Sequence, residues 1–240
     1  MALDSASLER IIPALLELEE ATGKPTLELH LMRYRFALEH LQPGRVLDIA
    51  CGVGYGTNLL SSAGVIEAAI GVDISEEAIE YARYHYGHAG IEFVTADALQ
   101  FTDASGFENI VSLETIEHVP DPVALLAHLT SLLKPHGVLI GSVPITPSVD
   151  ANPHHRTDFT ARSFRKMARG LGLVELDSLG QDQGYDPIAL LRGKEKRSSG
   201  LRRNIPGYYL ANPGRLWARV CSTLRHGFKN RYLTVAWRKR

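Results

Sequence analysis

Short apolar runs alternate with amphipathic stretches from residue 45 to residue 144, a pattern that predicts βαβ units and a parallel sheet. Strands are expected at 46–49, 68–74, 91–95, 109–114 and 138–143, with a helix opening behind Ser75 as N-cap. Farther on, 160–170 reads as a helix capped by Thr160, 173–179 alternates like a strand, and 232–237 reads as the last strand. The expected fold is therefore α/β, a doubly wound, mostly parallel seven-stranded sheet with right-handed crossovers. Ahead of it lie two helical patterns, one running from Leu8 past Pro13 to Glu20 and one over 26–41. Leu27, Leu31, Tyr34 and Leu38 share a face of the second, which is expected to pack on the sheet or to roof a ligand at its edge. Residues 180–230, divided by Pro187, Pro206 and Pro213, are too long for a bare connection and should hold structure of their own. The expected organisation is N-terminal helices roofing the site (1–42), a core (43–179), a basic insertion (180–230) and a returning last strand (231–240).

The first strand runs into three alternate glycines, Gly52, Gly54 and Gly56. Glycines at a strand-to-helix turn let the backbone approach a ligand, and the helix start offers N–H groups to an anion. A dinucleotide site uses these features for a pyrophosphate, with G-x-G-x-x-G spacing. Here the spacing is G-x-G-x-G, and Asp48, four residues before Gly52, would repel phosphate and attract a cation. S-adenosylmethionine (SAM) meets both conditions, since its amino acid end carries an ammonium and a carboxylate and its sulfur is a sulfonium. Asp48, Gly52, Gly54 and Gly56 would hold that end. Asp73, with Ile74 beside it, lies about 20 positions past the glycines and suits the ribose hydroxyls. Asp97 and the Ala98 backbone, beyond the third strand, suit the adenine. Singly, each acid has a commoner role as a helix cap or a solvated loop residue; three closing successive strands point to one ligand.

Residues from about 43 to 145 resemble a class I SAM-dependent methyltransferase domain, with the glycine loop, Asp73 and Asp97 on its amino acid, ribose and adenine motifs. The resemblance implies a Rossmann-like fold and SAM as cofactor. Methyl transfer needs an aligned acceptor, exclusion of water and a base for a hydroxyl, with no enzyme nucleophile. Candidates follow the fourth strand in the run Glu114-Thr115-Ile116-Glu117-His118. A histidine titrates near ~6.5, which suits a general base, so His118 is expected to be that base or else to anchor the loop. Glu117 and His155 join it as catalytic candidates, and Glu114 is placed with the cofactor. Residues 31–37 and the Asn-Pro-x-His segment at 152–155 resemble bacterial sugar and glycan methyltransferases. The same turn with His155 also resembles small-RNA 3′-terminal ribose methyltransferases, which implies a divalent cation, Mg²⁺ or Mn²⁺, on Glu114, Glu117, His118 and His155. That family's acidic and aromatic surroundings are missing here. The expected activity is O-methylation of a sugar, glycan or related small-molecule hydroxyl. The alternatives are metal-assisted RNA ribose methylation and a SAM-binding regulator or partner subunit without turnover.

With 45% apolar and 22% charged residues in 240, a substantial core is available. Cys51 and Cys221 make no disulfide framework, no run approaches a membrane span, and Asp4, Glu9 and Arg10 interrupt any leader, so a cytoplasmic location is expected. A net charge of −1 hides 12 Lys+Arg against 24 Asp+Glu in residues 1–180 and 14 against 3 in residues 181–240. The acidic part suits a cationic cofactor. The basic segment, from Arg192 through Lys194, Lys196, Arg197, Arg202 and Arg203 to Arg215, Arg219, Arg225, Lys229 and Arg231, contains Tyr208, Tyr209 and Trp217. It could serve a phosphate-bearing acceptor, a nucleic acid, a subunit contact or an anionic membrane surface, a small-molecule acceptor being preferred over nucleic acid. Trp217, Val220 and Leu224, at helical spacing, are expected to face a core.

Overall fold

The structure, a computed structural model, describes residues 23–184, 202 and 204–240. The expected helix over 8–20, Pro187, the cations between Arg192 and Arg197, and Arg203 lie outside the described residues. The described chain runs α1 (Gly23–Leu38), β1 (Gly44–Ile49), α2 (Tyr55–Ser61), β2 (Ile66–Asp73), α3 (Glu76–Tyr86), β3 (Ile91–Thr95) and β4 (Phe107–Leu113). It continues through α4 (Pro122–Leu132), β5 (Leu133–Pro144), α5 (Ala161–Gly170), β6 (Leu173–Gly184), α6 (Ile205–Ala211), α7 (Pro213–His226) and β7 (Lys229–Lys239).

The seven strands form one sheet in the order β3-β2-β1-β4-β5-β7-β6. Strands β1 to β5 pair in parallel, and β7 is antiparallel to both β5 and β6. The order reverses between β1 and β4, so the crevice beyond their carboxyl ends is where a ligand fits in this architecture.

The central strands are apolar on both faces because helices cover both. Leu47, Ile110, Leu139, Val235 and Trp237 point to one layer, where they meet Leu125, Leu126 and Leu129 of α4 and Phe164 and Ala168 of α5. Their sequence neighbours Val46, Val111, Ile140 and Ala236 point to the other, against Phe36 and Ala37 of α1 and Leu60 of α2. This is the two-residue period of a strand, with each alternate residue given a different helix to pack on. Helix starts are set locally. Ser75 accepts from the Ala78 amide, Asp121 from those of Val123 and Ala124, and Thr160 with Ser163 makes a reciprocal capping pair.

Three expectations are corrected. On α1 the buried residues are Arg33, Tyr34, Phe36 and Ala37, so of the expected stripe only Tyr34 is fully buried. A cation enters the core there because partners await it, as described below. Strand β6 extends to Gly184, since antiparallel pairing with β7 continues to the Gly184–Lys229 pair through a stretch with no apolar alternation. Helix α7 buries no residue, and Trp217 and Leu224 face solvent at 70% and 82% exposure.

Candidate functional site

Asp48 lies in the penultimate position of β1, almost fully buried. Thr57 Oγ1 of α2 donates to its Oδ2 at 2.7 Å, and the Tyr34 hydroxyl of α1 lies 3.3 and 3.4 Å from its two oxygens. Burial pushes the carboxyl up to about 7 against those two hydrogen bonds, and the Asp73 charge adds to the rise. The glycines make this assembly sterically feasible. Gly54 caps α2 in the left-handed region at φ 84°. A Cβ on Gly56 would lie 1.9 Å from the Tyr34 ring, so only glycine lets Tyr34 lie over the loop and reach Asp48.

Asp73 ends β2 and closes on the same loop, accepting from Gly52 N and Ser75 N, each at 2.9 Å. Beside it Ile74 is 70% exposed, an apolar side chain held in solvent at the rim. Asp97 is exposed beyond β3, where its Oδ1 accepts from the Leu99 amide and half-buried Ala98 packs against the core. Asp48, Asp73 and Asp97 therefore lie at or just beyond the carboxyl ends of adjacent strands β1, β2 and β3.

Glu114 follows β4 with a left-handed φ of 51°, a conformation that costs a non-glycine residue energy and that concentrates at functional sites. Its amide and Oε1 both bond the Ser142 hydroxyl of β5, at 3.0 and 2.7 Å. Its partner in charge is Arg33, with Nη1 3.6 Å from Oε1. Arg33 is only 1% exposed; Nε donates to Gln181 Oε1 at 2.8 Å, and the guanidinium stacks over the Tyr232 ring. Nη1 is buried without a hydrogen bond among the described residues, and Arg33 lies near enough to Tyr55 of the glycine loop to lower its phenol pKa, against the larger effect of burial. Sequence reasoning passed over Arg33. Its one signal was a basic residue between apolar neighbours at the expected roof helix.

The turn after β4 brings Glu117, His118 and His155 together, with one potential ligand atom from each within 4.8 Å of the others. His118 Nε2 lies 4.0 Å from Glu117 Oε1, and the two imidazoles meet edge to face at 4.6 Å. The Glu117 carbonyl accepts from the amides of Arg156 and Thr157, which ties the His155 segment to the turn. His155 Nδ1 is 2.8 Å from the Ser148 hydroxyl. Glu114 does not join this group, so the expected four-residue set is three residues here, Glu114 being engaged by Ser142 and Arg33.

A sequence pattern described as a methyltransferase domain matches residues 28–189. The chain belongs to that family. A ubiquinone biosynthesis O-methyltransferase of Xanthomonas axonopodis pv. citri is 31% identical over 150 residues, 60% of this chain and 62% of the relative. One from Methylococcus capsulatus is 32% identical over 182 residues, 65% of this chain and 74% of the relative. The match thus spans about three fifths of the length of the first of these relatives. Among solved structures, the N-methyltransferase NodS of Bradyrhizobium japonicum in complex with S-adenosylhomocysteine aligns with a TM-score of 0.60 at 18% identity. That alignment covers 89% of this chain and 86% of NodS, and it shows the shared fold. The methyltransferase domain is of the class I, Rossmann-like, SAM-dependent type.

Asp48 yields a pH prediction. In an unfolded chain an aspartate titrates near ~3.9, and here it titrates at about 7. Between these values the folded protein holds a proton that the unfolded chain has lost, so this group's contribution to stability falls as pH rises through that window and is level above it. A cation bound near the loop favours ionised Asp48. Binding of S-adenosylhomocysteine, which carries an ammonium, should therefore weaken roughly tenfold from pH 8 to pH 5.5 in calorimetric titrations. In Asp48→Asn that slope should flatten; an unchanged slope would assign the titration to another group.

Proposed function

We propose that this protein transfers the methyl group of SAM to a hydroxyl of a small molecule, with a sugar or glycan hydroxyl as the acceptor. The observation that carries this reading is the Glu117–His118–His155 group, set at the same sheet edge as the glycine loop, Asp73 and Asp97. An oxygen acceptor agrees with the printed names of the relatives, and a sugar with the resemblance of residues 31–37 and 152–155 to sugar methyltransferases.

On the cofactor side, Arg33 Nη1 would take the carboxylate of the amino acid end, with Glu114 holding the guanidinium in place. The ionised form of Asp48 supplies negative potential for the ammonium, although its oxygens already accept from Thr57 and Tyr34. Asp73 offers carboxylate lone pairs to the ribose, exposed Ile74 an apolar surface to the adenine, and Asp97 with the Ala98 backbone hydrogen bonds to its edge. When bound, SAM would supply an electrophilic methyl on a good leaving group, a neutral thioether. His118 accepts the hydroxyl proton, Glu117 stabilises the imidazolium, and Ser148 fixes His155 against it.

The same three side chains favour a second reading. A carboxylate and two imidazoles whose ligand atoms lie this close fit a divalent transition metal such as Mn²⁺ better than Mg²⁺, which prefers oxygen ligands. Such a cation would lower the acceptor hydroxyl's pKa and would stop His118 from acting as base. RNA is the less favoured acceptor under this reading. Arg215 and Arg219 of the basic segment are already paired with Asp158 and Asp150 and so are less available to phosphate.

Three outcomes are expected. Arg33→Lys should weaken S-adenosylhomocysteine binding about tenfold by calorimetry, because an ammonium replaces the guanidinium fork; unaltered affinity removes Arg33 from the cofactor site. With methyl-labelled SAM, label should pass to sugar or glycan hydroxyls, and His118→Ala should lower kcat by roughly 10²- to 10⁴-fold with cofactor affinity kept. Cofactor binding without label transfer to any sugar, phenol or RNA acceptor would favour the regulator reading. Dialysis against chelator should leave turnover unchanged if His118 is the base, whereas loss of activity restored by Mn²⁺ would establish the metal.

A further inference from the structure

We propose that helix α7 seats this protein on an anionic lipid surface. A helix on a water-soluble protein normally turns its apolar stripe inward and its charges outward. Helix α7 does the reverse. Toward the protein it presents Arg215, paired with Asp158, and Arg219, which bonds both oxygens of buried Asp150 and the Pro147 carbonyl. His226, in contact with Arg231, continues that inner side at the next turns. Toward solvent it presents Leu216, Trp217, Val220 and Leu224, which at about 100° per residue fall within one ~100° arc.

The charge distribution identifies the occupant. Residues 196–240 contain no Asp or Glu and 12 Lys and Arg, so this part of the chain is uniformly cationic. Exposed Arg225 flanks the apolar arc, and Lys229 follows the helix, sharing Asp182 with Arg231. A tryptophan and leucines bordered by arginine, on a helix that itself carries no acid, match the interface between acyl chains and anionic headgroups, where the rings seat at headgroup level and cations reach phosphate. A second copy of this chain would bring two cationic, acid-free α7 helices together and meet repulsion. Nucleic acid would want Arg215 and Arg219 free for phosphate, but both are committed to carboxylates of the protein. The anchor is joined to the reaction side of the sheet. Asp158, which holds Arg215, also accepts from the amides of Ser148 and Val149, and Ser148 carries His155. Lipid contact would therefore bring the His155 loop, which lies behind α7, close to the membrane. This inference goes beyond the methyl-transfer reading and does not depend on it.

The two tryptophans make the test direct, because Trp237 is fully buried and Trp217 is exposed. The 240-residue protein is mixed with vesicles of phosphatidylglycerol and phosphatidylcholine in equal parts, or of phosphatidylcholine alone, and followed by co-sedimentation and tryptophan emission. Co-sedimentation with the anionic vesicles, a blue shift, and weakening of both by salt are expected. The double variant Trp217→Ser, Leu224→Ser should bind these vesicles at least roughly tenfold more weakly, with buried Trp237 emission and far-ultraviolet circular dichroism unchanged. No preference for anionic vesicles in the wild type would overturn the proposal, whatever the variant does. So would undiminished binding by a folded double variant, or a lipid-independent blue shift accompanying dimerisation in sedimentation, which would give the face to a second copy.

Discussion

A guanidinium buried at the edge of a sheet must be matched or it unfolds its surroundings, and Arg33 imposes that condition on most of this fold. Removing an ion from water costs several kcal/mol, recovered only with an opposite charge and good hydrogen bonds. Arg33 meets three partners drawn from different strands: Glu114 after β4, itself held by Ser142 of β5, then Gln181 of β6 and the Tyr232 ring of β7. The demand explains why Glu114 is kept at a positive φ and why β6 continues well past its last apolar residues. It also fixes α1 beside the glycine loop. The neighbouring residue, Tyr34, then reaches Asp48 through the gap that Gly56 leaves.

The loop that carries His155 depends on a second set of carboxylates. Asp158 gathers the amides of Ser148 and Val149 and binds Arg215. Asp150 accepts from Arg219 and from the Tyr209 hydroxyl at 2.6 Å. Burial pushes the Asp150 carboxyl up, yet Arg219 and Tyr209 hold it below the usual range, while burial and then Asp150 push the Tyr209 phenol up to about 12 against the effect of Arg219. Helices α6 and α7 are therefore joined to the loop that carries His155 by charged contacts, which leaves the apolar side of α7 uncommitted.

Much of this was legible in the chain. The strands from β1 to β5 showed themselves as apolar runs because helices cover both faces. Helix starts at Ser75 and Thr160 showed themselves because capping is a local hydrogen bond between near neighbours. The glycine loop was legible for the same reason, since its conformation is a property of residues 52–56. The closeness of Glu117 and His118 to His155 came through resemblance alone, because nothing local reports a contact across 37 positions.

By itself, then, the sequence determined what is periodic or local: the alternating α/β pattern, the caps, the glycine turn with its acids at successive strand ends, and the charge asymmetry. Tertiary structure decided which polar groups found each other. It drew Arg33 inward, separated Glu114 from the Glu117–His118–His155 group, and turned Arg215 and Arg219 toward the body. The spacing of Trp217, Val220 and Leu224 could have faced a core or solvent equally well. The side of α7 that turned inward was set by Asp150 and Asp158, more than fifty residues away, because a buried carboxylate must be paired and an exposed leucine need not be.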